Sequence, residues 1–248
     1  MQQKDGIVDT GLRGVPVAST RISYVDGEQG RLLYRGYRIE DLAQGASYEE
    51  VAHLLLRDRL PDSAELEDLR AALARERAIP DHVLQALRVL PRQSEPMEVL
   101  QATVPLLAYG DADLLDSSRE ASRRIGTRLV ARLPAIIAAW HRVSSGLDPV
   151  EPDPELGHAA NLLFMLSGQR PDEEEARYLD TCLILHAEHS LNASTFAARE
   201  VCSTRANMYA AVSAAVGSLS GELHGGANAG VMRMLQEIDS LDKVEEYV

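Results

Sequence analysis

Apolar side chains recur at intervals of three and four along most of the chain. Leu66, Leu69 and Leu73 make one such stripe and Leu84, Leu87 and Leu90 another, the 3.6-residue period of a helix that buries one face. The longest stripe carries Ala121, Ile125, Leu129, Leu133, Ile136, Ile137 and Trp140 and predicts a long buried helix. Pro134 lies inside it, where the ring removes a backbone donor and crowds the preceding turn, so a kink is expected near Val130. Further helices are expected over residues 172–189, 207–218 and 228–238. One short region departs from this period. Residues 22–25 and 31–34 flank Asp26-Gly27-Glu28-Gln29-Gly30, the pattern of a β-hairpin, which reads as a minor ornament on an all-α protein.

No repeat or low-complexity tract interrupts the helices, and the Pro-rich stretch 146–154 is only long enough to join two of them. Ala210, Ala211, Ser213, Ala214, Ala215, Gly217 and Ser218 form a run of small side chains that permits close helix approach. Helix propensity explains the run about as well as its sharper reading, a tightly packed subunit interface. At the end of the chain Leu241, Val244 and Val248 begin a new stripe behind a possible N-cap, Ser240, with no glycine or basic residue to close it. An interrupted polypeptide and an ordinary frayed helix both fit.

The 248 residues are 45% hydrophobic and 25% charged, which excludes a disordered, collagen-like or disulfide-scaffold chain. With 25 basic against 38 acidic side chains the formal charge is -13. No basic patch stands out in the sequence, so neither nucleic acid nor an anionic membrane is an expected partner. A small anion could still be held locally. Cys182 and Cys202 sit among apolar neighbours and are read as structural thiols in a reducing compartment. Residues 1–20 show no basic segment followed by an apolar run, and no window approaches the ~18 apolar residues of a membrane span. A cytoplasmic protein is expected.

Two groups of residues could carry chemistry. His186 and His189 stand three apart at the end of an apolar helix, with Asn192 continuing the ridge if the helix persists. Two imidazoles and a carboxamide can bind the oxygens of a small carboxylate or ketone. Zinc would need a third ligand, and the intervening Glu188 is not spaced as in His-Glu-x-x-His, so no metal is expected. Satisfied core or interface histidines remain an even alternative on these residues alone. The second group is His224-Gly225-Gly226-Ala227-Asn228. The glycines would let a substrate approach the backbone, and Asn228 could cap the following helix. His224 would then lie just ahead of a helix N-terminus, whose positive end disfavours an imidazolium. A neutral imidazole there could donate to a carbonyl that is becoming an enol. A glycine turn with an incidental histidine is the plainer alternative. His53, His82, His141 and His158 stand singly and are expected at the surface or the edge of the core.

Read together, these residues resemble the citrate synthase family. The likeness begins at Gly11-Leu12-Arg13-Gly14-Val15, continues through Ile22–Gly27, Leu33-Tyr34-Arg35-Gly36-Tyr37 and His158-Ala159-Ala160-Asn161, and is most specific at Leu185–Thr195 and His224–Asn228. It implies a multi-helical large domain over 1–225, followed at 226–248 by the first helices of a small domain that is otherwise absent. It implies a homodimer that condenses acetyl-CoA with oxaloacetate to citrate and CoA, with acetyl-CoA a substrate and no cofactor. By the same resemblance His224 is catalytic, bonding the thioester carbonyl while an aspartate removes a methyl proton. His189 contacts oxaloacetate, and His186 and Asn192 help to hold it. The family's third histidine, in a Gly-His-Arg motif, and its catalytic aspartate have no counterpart in these 248 residues. The chain alone is therefore expected to release little or no CoA, and a complementary C-terminal chain is a possible partner. The alternatives are a 2-methylcitrate synthase acting on propionyl-CoA, since one methylene is discriminated by only ~1–3 kcal/mol, and a noncatalytic dimer-forming relative.

Overall fold

The computed structural model describes residues 18–247 and is helical apart from a small sheet near its start. Strands β1 (Ser23–Asp26) and β2 (Arg31–Tyr34) form the expected antiparallel hairpin, with Ser23 opposite Tyr34 and Asp26 opposite Arg31. A third strand, β3 (Tyr37–Arg38), returns along β2 with Tyr37 opposite Tyr34. Its turn is Arg35-Gly36, with φ of 50° and 94°, the mirror-image geometry that two-residue hairpins favour. The Gly11–Val15 block lies outside the described residues.

The chain continues through α1 (Ile39–Gly45), α2 (Tyr48–Arg57), α3 (Ser63–Glu76), α4 (Asp81–Val89) and α5 (Pro96–Thr103). A 3-10 turn (Val104–Ala108) leads towards the long α6 (Arg119–Ser144). Then follow α7 (His158–Ser167), α8 (Glu173–His186), α9 (Ala193–Ser203), α10 (Met208–Leu219) and α11 (Gly226–Ile238). A 3-10 turn (Leu241–Lys243) and α12 (Val244–Tyr247) close the described chain, where the last stripe was expected; Val248 lies outside it. Local chemistry sets the starts. Asp172 and Glu175 form a reciprocal capping box on α8, and Asn207 caps α10 by accepting the Ala210 N–H.

Two cores hold these helices. Val83, Leu87, Val99, Val104, Leu107, Ile125, Leu129, Ile136, Trp140 and Tyr209 pack α4, α5, α6 and α10 together. Tyr34, Leu42, Val51, Leu54 and Ile184 join β2, α1, α2 and α8. Helix α6 runs unbroken through Pro134. Its stripe is buried as expected except at Leu133, which is half-buried, and at Ile137, which is 43% exposed: Ile137 stands 100° round the axis from Ile136, off the core-facing line. Both cysteines are exposed, although their neighbours in sequence are apolar. Part of the small-residue run is used within the chain. A Cβ on Gly217 would come within 2.4 Å of Gln101 Nε2, and Ser213 Oγ donates to Gln101 O, so α10 lies against α5. No described helix is long and apolar enough to cross a membrane.

Nor are all the single histidines peripheral. His53 and His158 are buried. At the start of α7 the His158 N–H donates to Glu49 Oε1 (2.8 Å), and its ring stacks on Tyr48 at 4.7 Å. Burial pushes the imidazole down to about 4, against the attraction of Glu49 and reinforced by the repulsion of Arg77. Between the ordinary histidine value and pH 4 the unfolded chain therefore binds a proton that the folded chain refuses, and stability falls as the solution is acidified. The loss reaches about 3 kcal/mol. Burial raises the nearby Asp180 carboxyl, which works in the opposite direction. Urea midpoints at pH 7 and pH 4 are expected to separate more in the parent than in a His158→Gln variant, and parallel shifts would contradict this.

Candidate active site

The apolar stripe of α8 ends at Ile184, fully buried against the hairpin core. Beyond it the Tyr34 hydroxyl donates to Ile184 O (3.1 Å) and accepts the Glu188 N–H (3.2 Å). Glu188 Oε1 in turn accepts the Ser23 hydroxyl (2.8 Å) and the Ser190 N–H (2.6 Å). The small sheet is thus no ornament. It braces the turn that carries the histidines, and Glu188 is the keystone of that turn.

Helix α8 stops at His186, and Ser190 at φ 62° turns the chain. The expected continuous ridge from His186 through His189 to Asn192 does not form. Asn192 instead caps the next helix, its Oδ1 accepting the Thr195 N–H at 2.9 Å, because an asparagine carboxamide serves a helix start better than a helix interior. His186 is exposed, with Nδ1 2.7 Å from Cys182 O. A carbonyl only accepts, so Nδ1 donates there, and Nε2 makes no hydrogen bond among the described residues. His189 is exposed on the turn between α8 and α9 and makes no hydrogen bond among the described residues. No group of three or more His, Cys, Asp or Glu among the described residues is placed to hold a metal ion.

The loop after α10 brings His224 to the first turn of α9. Gly225 N–H returns to Leu219 O (3.0 Å) and Gly226 N–H to Gly221 O (3.2 Å). A Cβ on Gly225 would lie 2.4 Å from Leu219 O, so the chain's own return already requires this glycine. Helix α11 starts at Gly226, with Gly225 rather than Asn228 at its N-cap; the expected Asn228 cap is displaced because the loop tightens into helix two residues earlier. His224 stands ahead of that N-terminus, as predicted.

Its ring is held by a residue the sequence reading did not single out. Ser194 Oγ lies 2.9 Å from His224 Nε2, and the Ser194 backbone N–H donates to the same nitrogen at 3.3 Å. A backbone N–H can only donate, so Nε2 accepts and the proton of the neutral ring sits on Nδ1. Ser194 Oγ is also 2.8 Å from Asn192 Oδ1. Asn192 and His224, 32 positions apart in the chain by their numbers, are thereby joined through one serine. A serine two residues after an N-cap asparagine was the available signal. The arrangement aims an unprotonated Nε2 at the N-terminus of α9, where its positive end favours a lone pair over a charge. It leaves Nδ1–H as a positioned donor for an oxygen that gains negative charge during a reaction.

Fold and site together define a multi-helical protein that gathers imidazole and amide groups at helix ends. Residues 11–248 match the family model "Citrate synthase, C-terminal domain". Citrate synthase of Haloferax volcanii is 47% identical over 241 residues, covering 96% of this chain and 64% of that protein. The crystal structure of citrate synthase from Pyrobaculum aerophilum superposes with a TM-score of 0.90 at 41% identity, over 99% of this chain and 63% of the other. The ternary complex of carboxymethyl coenzyme A and oxaloacetate with citrate synthase from Thermoplasma acidophilum gives 0.87 at 31% identity, over 94% and 61%. The chain belongs to the citrate synthase family. It spans less than two thirds of the length of the curated relatives it matches, 64% and 62% for the first two.

Proposed function

We propose that this chain carries the oxaloacetate-holding and carbonyl-polarising part of a citrate synthase-type site, acting as a cytoplasmic homodimer. The observation that carries the reading is the Ser194 N–H on His224 Nε2, which leaves Nδ1–H to bond a thioester carbonyl. A base takes a methyl proton of acetyl-CoA, and the electron pair moves into the carbonyl, whose oxygen gains charge against Nδ1–H. The methylene carbon then attacks the ketone carbon of oxaloacetate, and the ketone oxygen takes a proton. Water cleaves the resulting thioester to release CoA and citrate. The methyl group of a thioester is a weak acid, so stabilising the enol oxygen is where the protein lowers the barrier most. No residue of this chain is assigned as the base or as the donor to the ketone. His186, His189 and Asn192 hold the carboxylates of oxaloacetate, and the Thermoplasma relative, crystallised with oxaloacetate, supports that choice of ligand. For the dimer, Ala210, Ala214 and Ala215 remain half-buried on α10, which suits a close-packed partner helix.

Calorimetric titration tests the ligand. Oxaloacetate is expected to bind the chain saturably, and His189→Ala to weaken binding about tenfold, the loss of one charge-assisted hydrogen bond. No binding, or binding indifferent to that substitution, favours the noncatalytic relative instead.

A further inference from the structure

The geometry points to a second, separate site on this chain, a phosphoryl-binding cavity between α2, α3 and α6 that takes inorganic phosphate or a small phosphate monoester. The cavity holds about 390 Å³ and is walled by His53, Arg57, Arg59, Glu65, Asp68 and Arg123, none of them in the 186–226 region of the candidate active site. Its volume suits a small ligand with a few convergent polar groups. In a chain of formal charge -13, three guanidiniums around one concavity make a local exception to the acidic field.

The charges are not simply paired off. Arg59 is committed to Glu65 through two parallel hydrogen bonds, and Arg59 holds the Glu65 carboxyl down to about 2, so this pair is neutral as a unit. Arg57 has no ion pair among the described residues. Arg123 reaches a carboxylate only at 4.0 Å, on Glu120, and its Nε is buried with no hydrogen-bond partner. With no carboxylate nearer than Glu120, the Arg123 guanidinium retains capacity for an anion. Two cations thus face one free carboxylate, Asp68.

His53 makes the site selective. The residue is 7% exposed, and its Nδ1 lies 2.9 Å from Arg59 O, which fixes the proton of the neutral ring on Nδ1. Nε2 has no partner among the described residues and is a lone-pair acceptor on the cavity wall. Asp68 is a second acceptor there. Against a neutral His53 ring, an anion held by Arg57 and Arg123 gains further bonds when it also offers a proton. A phosphoryl group with one P–OH does so near neutral pH. Sulfate, with four acceptor oxygens and no donor, does not.

Titration of the 248-residue chain with inorganic phosphate and, separately, ribose 5-phosphate reads the site, with sodium sulfate at matched ionic strength as control. Phosphate is expected to bind at least tenfold more tightly than sulfate, and Arg57→Gln and Arg123→Gln each to weaken it about tenfold, while His189→Ala leaves it unchanged. The His53 ring resonances are expected to move along the same binding curve in the unsubstituted chain, a readout that does not depend on how the variants fold. Tighter binding of the ester assigns the remaining volume to its organic part; tighter binding of inorganic phosphate assigns the site to the free ion. Equal affinity for sulfate, a stationary His53, or loss of binding in His189→Ala would each overturn the inference.

Discussion

Replacing His224 by alanine is expected to lower the condensation rate of the assembled enzyme about 10²- to 10³-fold, the effect of removing one preorganised donor from a developing oxyanion. The thermal midpoint should scarcely change, because His224 is only half-buried and bonds nothing among the described residues but Ser194 through its ring. The loss should fall on kcat rather than on the KM for oxaloacetate, since the Nδ1–H is most useful when the thioester oxygen carries charge. Steady-state release of CoA thiol by the parent and variant enzymes measures it. A drop below tenfold, or one confined to the KM for oxaloacetate, would move the carbonyl donor elsewhere.

Arg128→Ala is expected to cost 3–5 kcal/mol, as when one partner of a buried ion pair is removed and the other left behind. Its guanidinium bonds Asp111 Oδ1 at 2.8 Å and Asp113 Oδ2 at 2.6 Å, and the side chain of Asp111 is 3% exposed. The Tyr209 hydroxyl meets Asp111 Oδ2 as well, and burial with that contact pushes the phenol up to about 12. Cutting Arg128 away leaves the Asp111 carboxylate without a cation, held only by the Tyr209 hydroxyl and the Asp113 N–H, at the point where α6 supports α10, the helix that leads into the His224 loop. Lysine at 128 should restore only part of the loss, because an ammonium cannot span both carboxylates with a planar fork. Urea unfolding gives the difference directly, and a cost below 1 kcal/mol would show that the network is solvated.

The parts legible in the sequence were those set locally. The α6 stripe, the helix starts near Asp172 and Asn207 and the β1–β2 hairpin follow from period and turn residues within a few positions of each other. Helix α9 was hidden because Asn192 could either continue α8 or start a new helix, and the positive φ of Ser190 decides which. Strand β3 was hidden because an arginine at φ 50° is an uncommon turn residue. The blocks around His186 and His224 were legible as chemistry. Their support was not, since Tyr34 reaches Ile184 across 150 residues and Ser194 reaches His224 across 30. The burial of His158 likewise depends on Glu49 and Tyr48, which no pattern near residue 158 reveals.

The ring resonances of His186, His189 and His224, followed together while oxaloacetate and carboxymethyl coenzyme A are added to the chain, test most directly whether these groups serve one reaction. All three are expected to move along a common saturation curve, with His224 retaining its proton on Nδ1 throughout. Movement of His186 and His189 with His224 stationary, or no movement in any of them, would mean that the three imidazoles do not share a site.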